Sequence, residues 1–382
     1  MFRGKMIEVL GSPFRAKRAF VLASALVFGV SMTLTTPVQA KSPVRQGEPC
    51  SKVGAQVEKG RWTFTCTKKS GKKVWVRKRT PKPAPAPAWQ EVASQLAANA
   101  EGRRTSNAAT NFEFFLSPTI STLAAEQAER AVETAYATWH AVAPLPADFP
   151  VYLVDAMSED WYLGISAEYP NDTCGAYWWE KAISTPANNG GAVCGSPQHE
   201  WAYMVLFLGT RSAVSTWLST HEAVHVAQGR LLGTGLFDME CWIGEGMAEL
   251  YTGALAIPPP TSGPWLATQT YRNFVVGGLR ALPTPSADLS NPAYWLDIIR
   301  QSENRGSELC RNFGLGYSLG YLVTERLVAD FGESRVIEWL RESRRLGDSG
   351  IAFESTFSMA KDDWYQQSAA PYVASEVVAI IK

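Results

Sequence analysis

Histidine is scarce in this chain of 382 residues: there are four, so any site built from imidazoles must draw on His140, His199, His221 and His225. An excess of either charge is also missing, with 36 Lys+Arg against 36 Asp+Glu. Charged residues reach only 19% while hydrophobic ones make up 46%, which excludes a disordered or collagen-like chain. No internal repeat is present, and beyond one run near the N-terminus no stretch approaches a membrane span. What is there is length. A chain well above about 250 residues holds more than one unit, or one large domain with appendages.

The zero net charge hides a split. Residues 1–40 carry five basic and one acidic residue and 41–80 carry twelve and two, which leaves 19 basic and 33 acidic residues for 81–382. The first segment reads as an export signal. Arg15, Lys17 and Arg18 precede an apolar core of about 12 residues from Ala19 to Val30, short for a membrane span. Val38-Gln39-Ala40 then supplies small residues of the kind a signal peptidase reads, so cleavage after Ala40 and a secreted or cell-envelope location are expected. The alternative is an uncleaved anchor.

Export gives the six cysteines a meaning, because an even number in an oxidising compartment implies disulfides. Proximity and domain layout favour Cys50–Cys66, Cys174–Cys194 and Cys241–Cys310. Residues 41–79 form a small basic β unit, with strands at Trp62–Cys66 and Val74–Arg77 around a turn at Ser70-Gly71. A unit so short cannot bury enough apolar surface alone and needs its disulfide. It resembles small cysteine-paired modules appended to exported bacterial proteins. The alternating prolines of 80–88 make a semi-rigid spacer.

The rest, 89–382, is one substantial domain. Pro118 after Ser117 suggests a helix start, with good helix formers over Ala124–Val142. Val151–Val154 and Trp201–Leu208 read as buried strands, with a Gly/Asn/Pro-rich loop at Tyr169–Pro197 between them. Beyond residue 212 the pattern is mostly helical, with breaks at Gly229–Gly235, Pro258–Pro260 and Gly332. Strands first and helices later make the fold class α+β.

Two of the four histidines stand in His221-Glu222-Ala223-Val224-His225, flanked by Val214, Trp217, Leu218 and Val226 at helical spacing. Residues four apart share a helix face, so both imidazoles can serve one Zn²⁺. Glu222 is turned by roughly 100° from His221 and flanks such a metal, within reach of a water on it. Twenty residues on from His225, Glu245 and Glu249 repeat the i, i+4 spacing in Cys241-Trp242-Ile243-Gly244-Glu245-Gly246-Met247-Ala248-Glu249-Leu250. One carboxylate can complete a His₂Glu set that leaves a fourth position for water, and the other can accept the second ring N–H of a ligating histidine.

With both motifs in place, the chain resembles the gluzincin zinc metallopeptidases, in which HExxH is followed by a helix bearing a glutamate. The resemblance implies a zincin-like catalytic domain, a small strand-containing part followed by a mostly helical half. It implies His221, His225 and Glu245 as zinc ligands, Glu249 as the acid behind a ligating ring, and Glu222 as general base in peptide-bond hydrolysis. It further implies an oxyanion donor from a later helix, with Tyr317 first, Tyr321 second and His199 a third possibility. The strand Trp201–Leu208 falls where gluzincins offer an edge strand to extended substrate, ordinary buried sheet being the alternative. Two features depart from the family: Gly244 rather than Asn precedes the ligand glutamate, and no Gly-x-Met-x-Asn signature is present.

The competing expectation is a non-catalytic zinc-binding or cell-envelope-binding protein, a pseudo-peptidase, whose basic 41–79 unit would pair with an anionic envelope polymer. Nucleic acid is not an expected partner, because the aromatics of the acidic main domain are not interleaved with a basic groove.

Overall fold

A computed structural model describes residues 45–59, 62–79, 89–104, 112–145, 148–155, 157–169, 190–194, 203–209, 216–233, 240–257, 260, 265–281, 288–304, 309 and 315–381. The expected signal segment, the 80–88 spacer, His199, Cys174 and Cys310 lie outside them. The fold is α+β with two small sheets, and the chain divides into two compact units, Met1–Lys82 and Pro83–Lys382. No helix among the described residues is long and apolar enough to cross a membrane.

The first unit is a three-stranded antiparallel sheet of β1 (Gln56–Lys59), β2 (Trp62–Lys69) and β3 (Lys72–Arg79), in that order. Ser70 (φ 50°) and Gly71 (φ 82°) both take positive φ, as a two-residue hairpin turn that follows the strand twist requires. Little is buried apart from Phe64 and Cys66. The Cys50–Cys66 disulfide (Cα–Cα 5.8 Å, 16 residues apart) ties the segment before β1 to the middle strand. Cys194 and Cys241 are disulfide-bonded as well, and their expected partners fall outside the described residues.

The second unit starts with helix α1 (Trp89–Arg104) and is organised around a four-stranded mixed sheet of order β4-β5-β7-β6. Strands β4 (Phe112–Leu116), β5 (Phe149–Asp155) and β7 (Tyr203–Gly209) run parallel, and β6 (Gly190–Cys194) runs antiparallel to β7. Side chains alternate across a strand. Val151, Leu153, Met204 and Leu206 therefore enter the helical core, while Tyr152, Val154, Tyr203, Val205 and Phe207 face a second, aromatic core under α3 (Glu159–Glu168). Burial on both faces explains why β5 and β7 read as unbroken apolar runs.

Three local expectations need correction. The helix expected from Pro118 is α2 (Thr122–Ala137), with Ser121 as its cap: its hydroxyl accepts from the Ala124 N–H at 3.2 Å. Ser117 instead continues the ladder, donating its N–H to the Leu153 carbonyl at 3.0 Å. Within the stretch expected to be loop, Gly190–Cys194 is a strand. And β7, which holds the described part of Trp201–Leu208, is no edge: it pairs with β5 on one side and β6 on the other, so among the described strands the edges are β4 and β6.

On the helical side lie α4 (Thr216–Leu232), α5 (Cys241–Leu255), α6 (Leu266–Gly277), α7 (Pro292–Gln301), α8 (Leu315–Phe331) and α9 (Glu333–Leu346). From Ser219 to Leu232 every residue of α4 except Arg230 is buried, as befits a central helix enclosed on all sides. Helix α4 runs to Leu232 and is closed by Gly233 (φ 72°), inside the expected break Gly229–Gly235. Helices α5 and α8 pack backbone to backbone at Gly246 and Gly320, where a methyl on Gly320 would sit 2.9 Å from the Gly246 Cα. Two buried ion clusters hold this frame. Arg272 on α6 pairs with Glu325 on α8 (2.6 Å) and with Glu376 (2.8 Å) in the closing helix Ala370–Ile381, while Arg103 on α1 pairs with Glu333 on α9 (2.8 Å).

Two outcomes are expected. Replacing Cys50 and Cys66 by serine removes a closed loop worth about 3 kcal/mol to so small a unit. Limited proteolysis should then digest residues 45–79 while leaving the second unit intact. Gly320→Ala forces two helical backbones apart and should cost roughly 3 kcal/mol, read as a fall in the midpoint of thermal unfolding of the second unit.

Candidate metal centre

Helix α4 points His221 and His225 to the same side, and α5 brings Glu245 to meet them. The three donor atoms form a near-equilateral triangle. The Nε2 atoms of His221 and His225 are 3.0 Å apart, and Glu245 Oε2 lies 3.4 Å from the first and 3.2 Å from the second. A tetrahedral cation bound at 2.0–2.1 Å requires donors about 3.3 Å from one another. These three residues are a group that could hold a metal ion.

The rings are oriented from behind. Gln228 is fully buried one turn after His225, and its amide NH₂ donates to the carbonyls of Ile243 (3.2 Å) and Gly244 (3.0 Å). Carbonyls only accept, so the Gln228 Oε1 is the atom facing His225, 2.8 Å from Nδ1, and that ring nitrogen must carry the hydrogen. His221 Nδ1 lies 3.3 Å from Glu249 Oε1, another group that only accepts. Both rings thus turn Nε2 toward Glu245. With both rings neutral, two lone pairs and a carboxylate oxygen converging in a buried space repel one another unless a metal ion, or a proton on one ring, sits among them. That is the test the donor set passes.

Glu249 is itself held, because the Tyr271 hydroxyl of α6 donates to its other oxygen and Trp217 packs edge-on against Tyr271 at 5.2 Å. Glu222 stays out of the triangle. It is 4% exposed, and its Oε2 has no hydrogen-bond partner among the described residues. Its carboxylate lies against the edge strand: a methyl on Gly191 would come 2.7 Å from Glu222 Cγ. Tyr317, in the first turn of α8, stacks on His221 with ring centres 5.7 Å apart and planes inclined by 15°. The residue is 39% exposed as a whole, yet its phenol lies near enough to Glu245 to feel that carboxylate's charge. Tyr321, one turn on, is 2% exposed and lies among Glu325, Arg272 and Glu249 instead. His199 lies outside the described residues.

The electrostatics follow from three carboxylates around two imidazoles. Burial would pull the His221 pKa down, but hydrogen bonds to Glu245 and Glu249 and the charges of Glu249 and Glu222 outweigh it and hold it well above the usual histidine value. Burial likewise pushes Glu245 up, and the charge of His225 with hydrogen bonds to both rings reverses this, leaving it well below the carboxylate range. Glu222 goes the other way: burial raises it, the two histidines only temper the rise, and Glu245 and Glu249 add to it. The charge of Glu245, then burial, then Glu222 and Glu249 keep the Tyr317 phenol protonated.

Spacing along the chain brought His221, His225, Glu245 and Glu249 to notice, and the structure does gather them with Glu222 and Tyr317. Sequence reasoning missed Gln228, Tyr271 and Gly191. Gln228 carried a signal, three residues beyond His225 on the same helical face. Gly191 and Tyr271 carried none, since they arrive from a strand and a helix whose approach is tertiary.

The chain matches no known protein family, no curated protein and no solved structure. Fold and site define an α+β protein with a buried group of two histidines and a glutamate able to hold a metal ion.

A pH dependence with a definite sign is expected. His221, raised in the folded chain, stabilises it fully below its unfolded value of about 6.5, and this is lost as pH rises through the folded pKa. Glu245, lowered, stabilises above its unfolded value of about 4.3, and this is lost as pH falls through the folded pKa. The metal-free chain should therefore unfold at lower temperature at pH 9 than at pH 6, and zinc-loaded chain should lose this alkaline drop. Thermal unfolding with chelator and with zinc checks both arms.

Proposed function

We propose that the second unit is an exported, zinc-dependent, gluzincin-type metallopeptidase with a zincin-like fold, in which His221, His225 and Glu245 hold the zinc. The observation that carries the reading is the triangle of donors, each ring held from behind at Nδ1 so that Nε2 faces inward. The surroundings favour Zn²⁺ over harder cations, because two imidazoles and one carboxylate form a nitrogen-rich set of the catalytic type. When bound, the ion polarises a carbonyl and acidifies a water beside it.

The chain's own groups do the rest. Glu222, with an uncommitted buried oxygen and a pKa lifted by burial, accepts a proton from a water on one side and returns it to the departing amine on the other. The Tyr317 phenol, kept protonated by its carboxylate neighbours, is the donor for the oxyanion that develops on the scissile carbonyl. Among the described residues β6 pairs only with β7, so its outer edge, next to Glu222 at Gly191, suits backbone pairing with an extended peptide.

A second reading applies to the first unit. Its hairpin sets Lys68 opposite Lys73 and Lys69 opposite Lys72, like charges that disfavour the pairing they sit in. An anionic cell-envelope polymer would relieve that repulsion, and such binding is compatible with peptidase activity in the second unit.

Glu222→Gln is expected to keep zinc and abolish cleavage of casein or a peptide library, Glu245→Ala to lose zinc, and Tyr317→Phe to lower kcat by roughly a hundredfold. Metal content by mass spectrometry and steady-state kinetics measure these effects. Full activity in Glu222→Gln, or activity untouched by 1,10-phenanthroline, overturns the assignment.

A further inference from the structure

We propose that Gln228 is a positioning residue of the metal centre, acting through His225 and through the start of α5. It fixes His225 as the Nδ1–H tautomer and sets the register between the helix with the two histidines and the helix with Glu245 before any metal arrives. The inference rests on the metal reading above and deepens it.

Its warrant is complete use of one buried amide. Gln228 is 0% exposed, and its three hydrogen-bonding functions are all committed: Oε1 to the His225 ring, the two N–H groups to the carbonyls of Ile243 and Gly244. Those carbonyls immediately precede Glu245 in the first turn of α5, so the same side chain that orients one ligand also anchors the backbone that carries another. A buried amide must satisfy both ends, so it cannot rotate by half a turn: that would face an N–H₂ to the ring and an oxygen to two carbonyls. The ring therefore cannot present Nδ1 as acceptor, and Nε2 is left bare toward the cluster. Glutamate in its place keeps the acceptor for His225 and loses both donors. Leucine loses everything and keeps the volume.

The test uses the full chain and zinc as probe, with side-chain ¹⁵N NMR of the metal-free protein beside zinc titration. Metal-free wild type is expected to show the Nδ1–H form at His225. Q228L should lose that form and bind zinc about ten- to a hundredfold more weakly, with its helical circular dichroism unchanged. Q228E should retain the Nδ1–H signature while still binding more weakly than wild type, a split that loss of packing alone does not produce. An Nε2–H form in wild type overturns the proposal, as does Q228L with wild-type tautomer or with zinc affinity within about threefold. If Q228L does not fold, the wild-type spectrum and Q228E decide. A wild type with the Nδ1–H form but no zinc uptake sinks the metal reading and leaves the tautomer assignment standing.

Discussion

Three electron-rich atoms are forced together in a space from which water is largely excluded, and the rest of the second unit is arranged around that crowding. With both rings neutral, the two imidazole nitrogens and the Glu245 oxygen repel. The chain answers with geometry that prevents their escape: a central helix buried on all sides, and a neighbour that cannot slide away. The contact between Gly246 and Gly320 sits next to Glu245 in sequence, and Gly316 lies so close that a methyl there would come 3.1 Å from Glu245 Cγ. Helix α8 thus supplies both the backstop for the third donor and, through Tyr317, the ring that stacks on the first.

The charge pattern has the same origin. Glu222, Glu245 and Glu249 outnumber the two histidines they surround, so the cluster favours positive charge and holds His221 protonated when nothing else supplies it. The same surplus splits two neighbouring carboxyls in opposite directions. Glu245 is paired by rings on two sides and stays ionised, whereas Glu222, set against the edge strand with an unused oxygen, is pushed up by desolvation. Two carboxyls with separated affinities for a proton are what acid–base work requires. Farther out, Arg272 and Arg103 neutralise Glu325 and Glu333 between helices, so the electrostatic frame does not draw on the central carboxylates.

The two units reach stability by different means. The first has almost no core and depends on a hairpin turn and a disulfide, while carrying lysines opposite lysines. The second has a large core on one side of its sheet and an aromatic one on the other, and can accommodate an unfavourable cluster at its centre.

Local spacing determined a good deal by itself. The i, i+4 pairs His221/His225 and Glu245/Glu249 fixed which side chains share a helix face, because helical pitch is a property of the backbone. Ser70-Gly71 fixed a turn, since few residues tolerate positive φ. The apolar runs of β5 and β7 announced buried strands, though not their neighbours. The start of α2 was misplaced because Ser117 was taken by the sheet ladder, a pairing no local rule contains. Only the tertiary structure decided that β6 rather than β7 lies at an edge among the described strands, that Gly191 meets Glu222, that Tyr317 rather than Tyr321 stacks on His221, and that the Gln228 amide spans two helices. Each of these is a contact between segments far apart in the chain, set by how close two backbones can come, and periodicity along one segment holds no information about that distance.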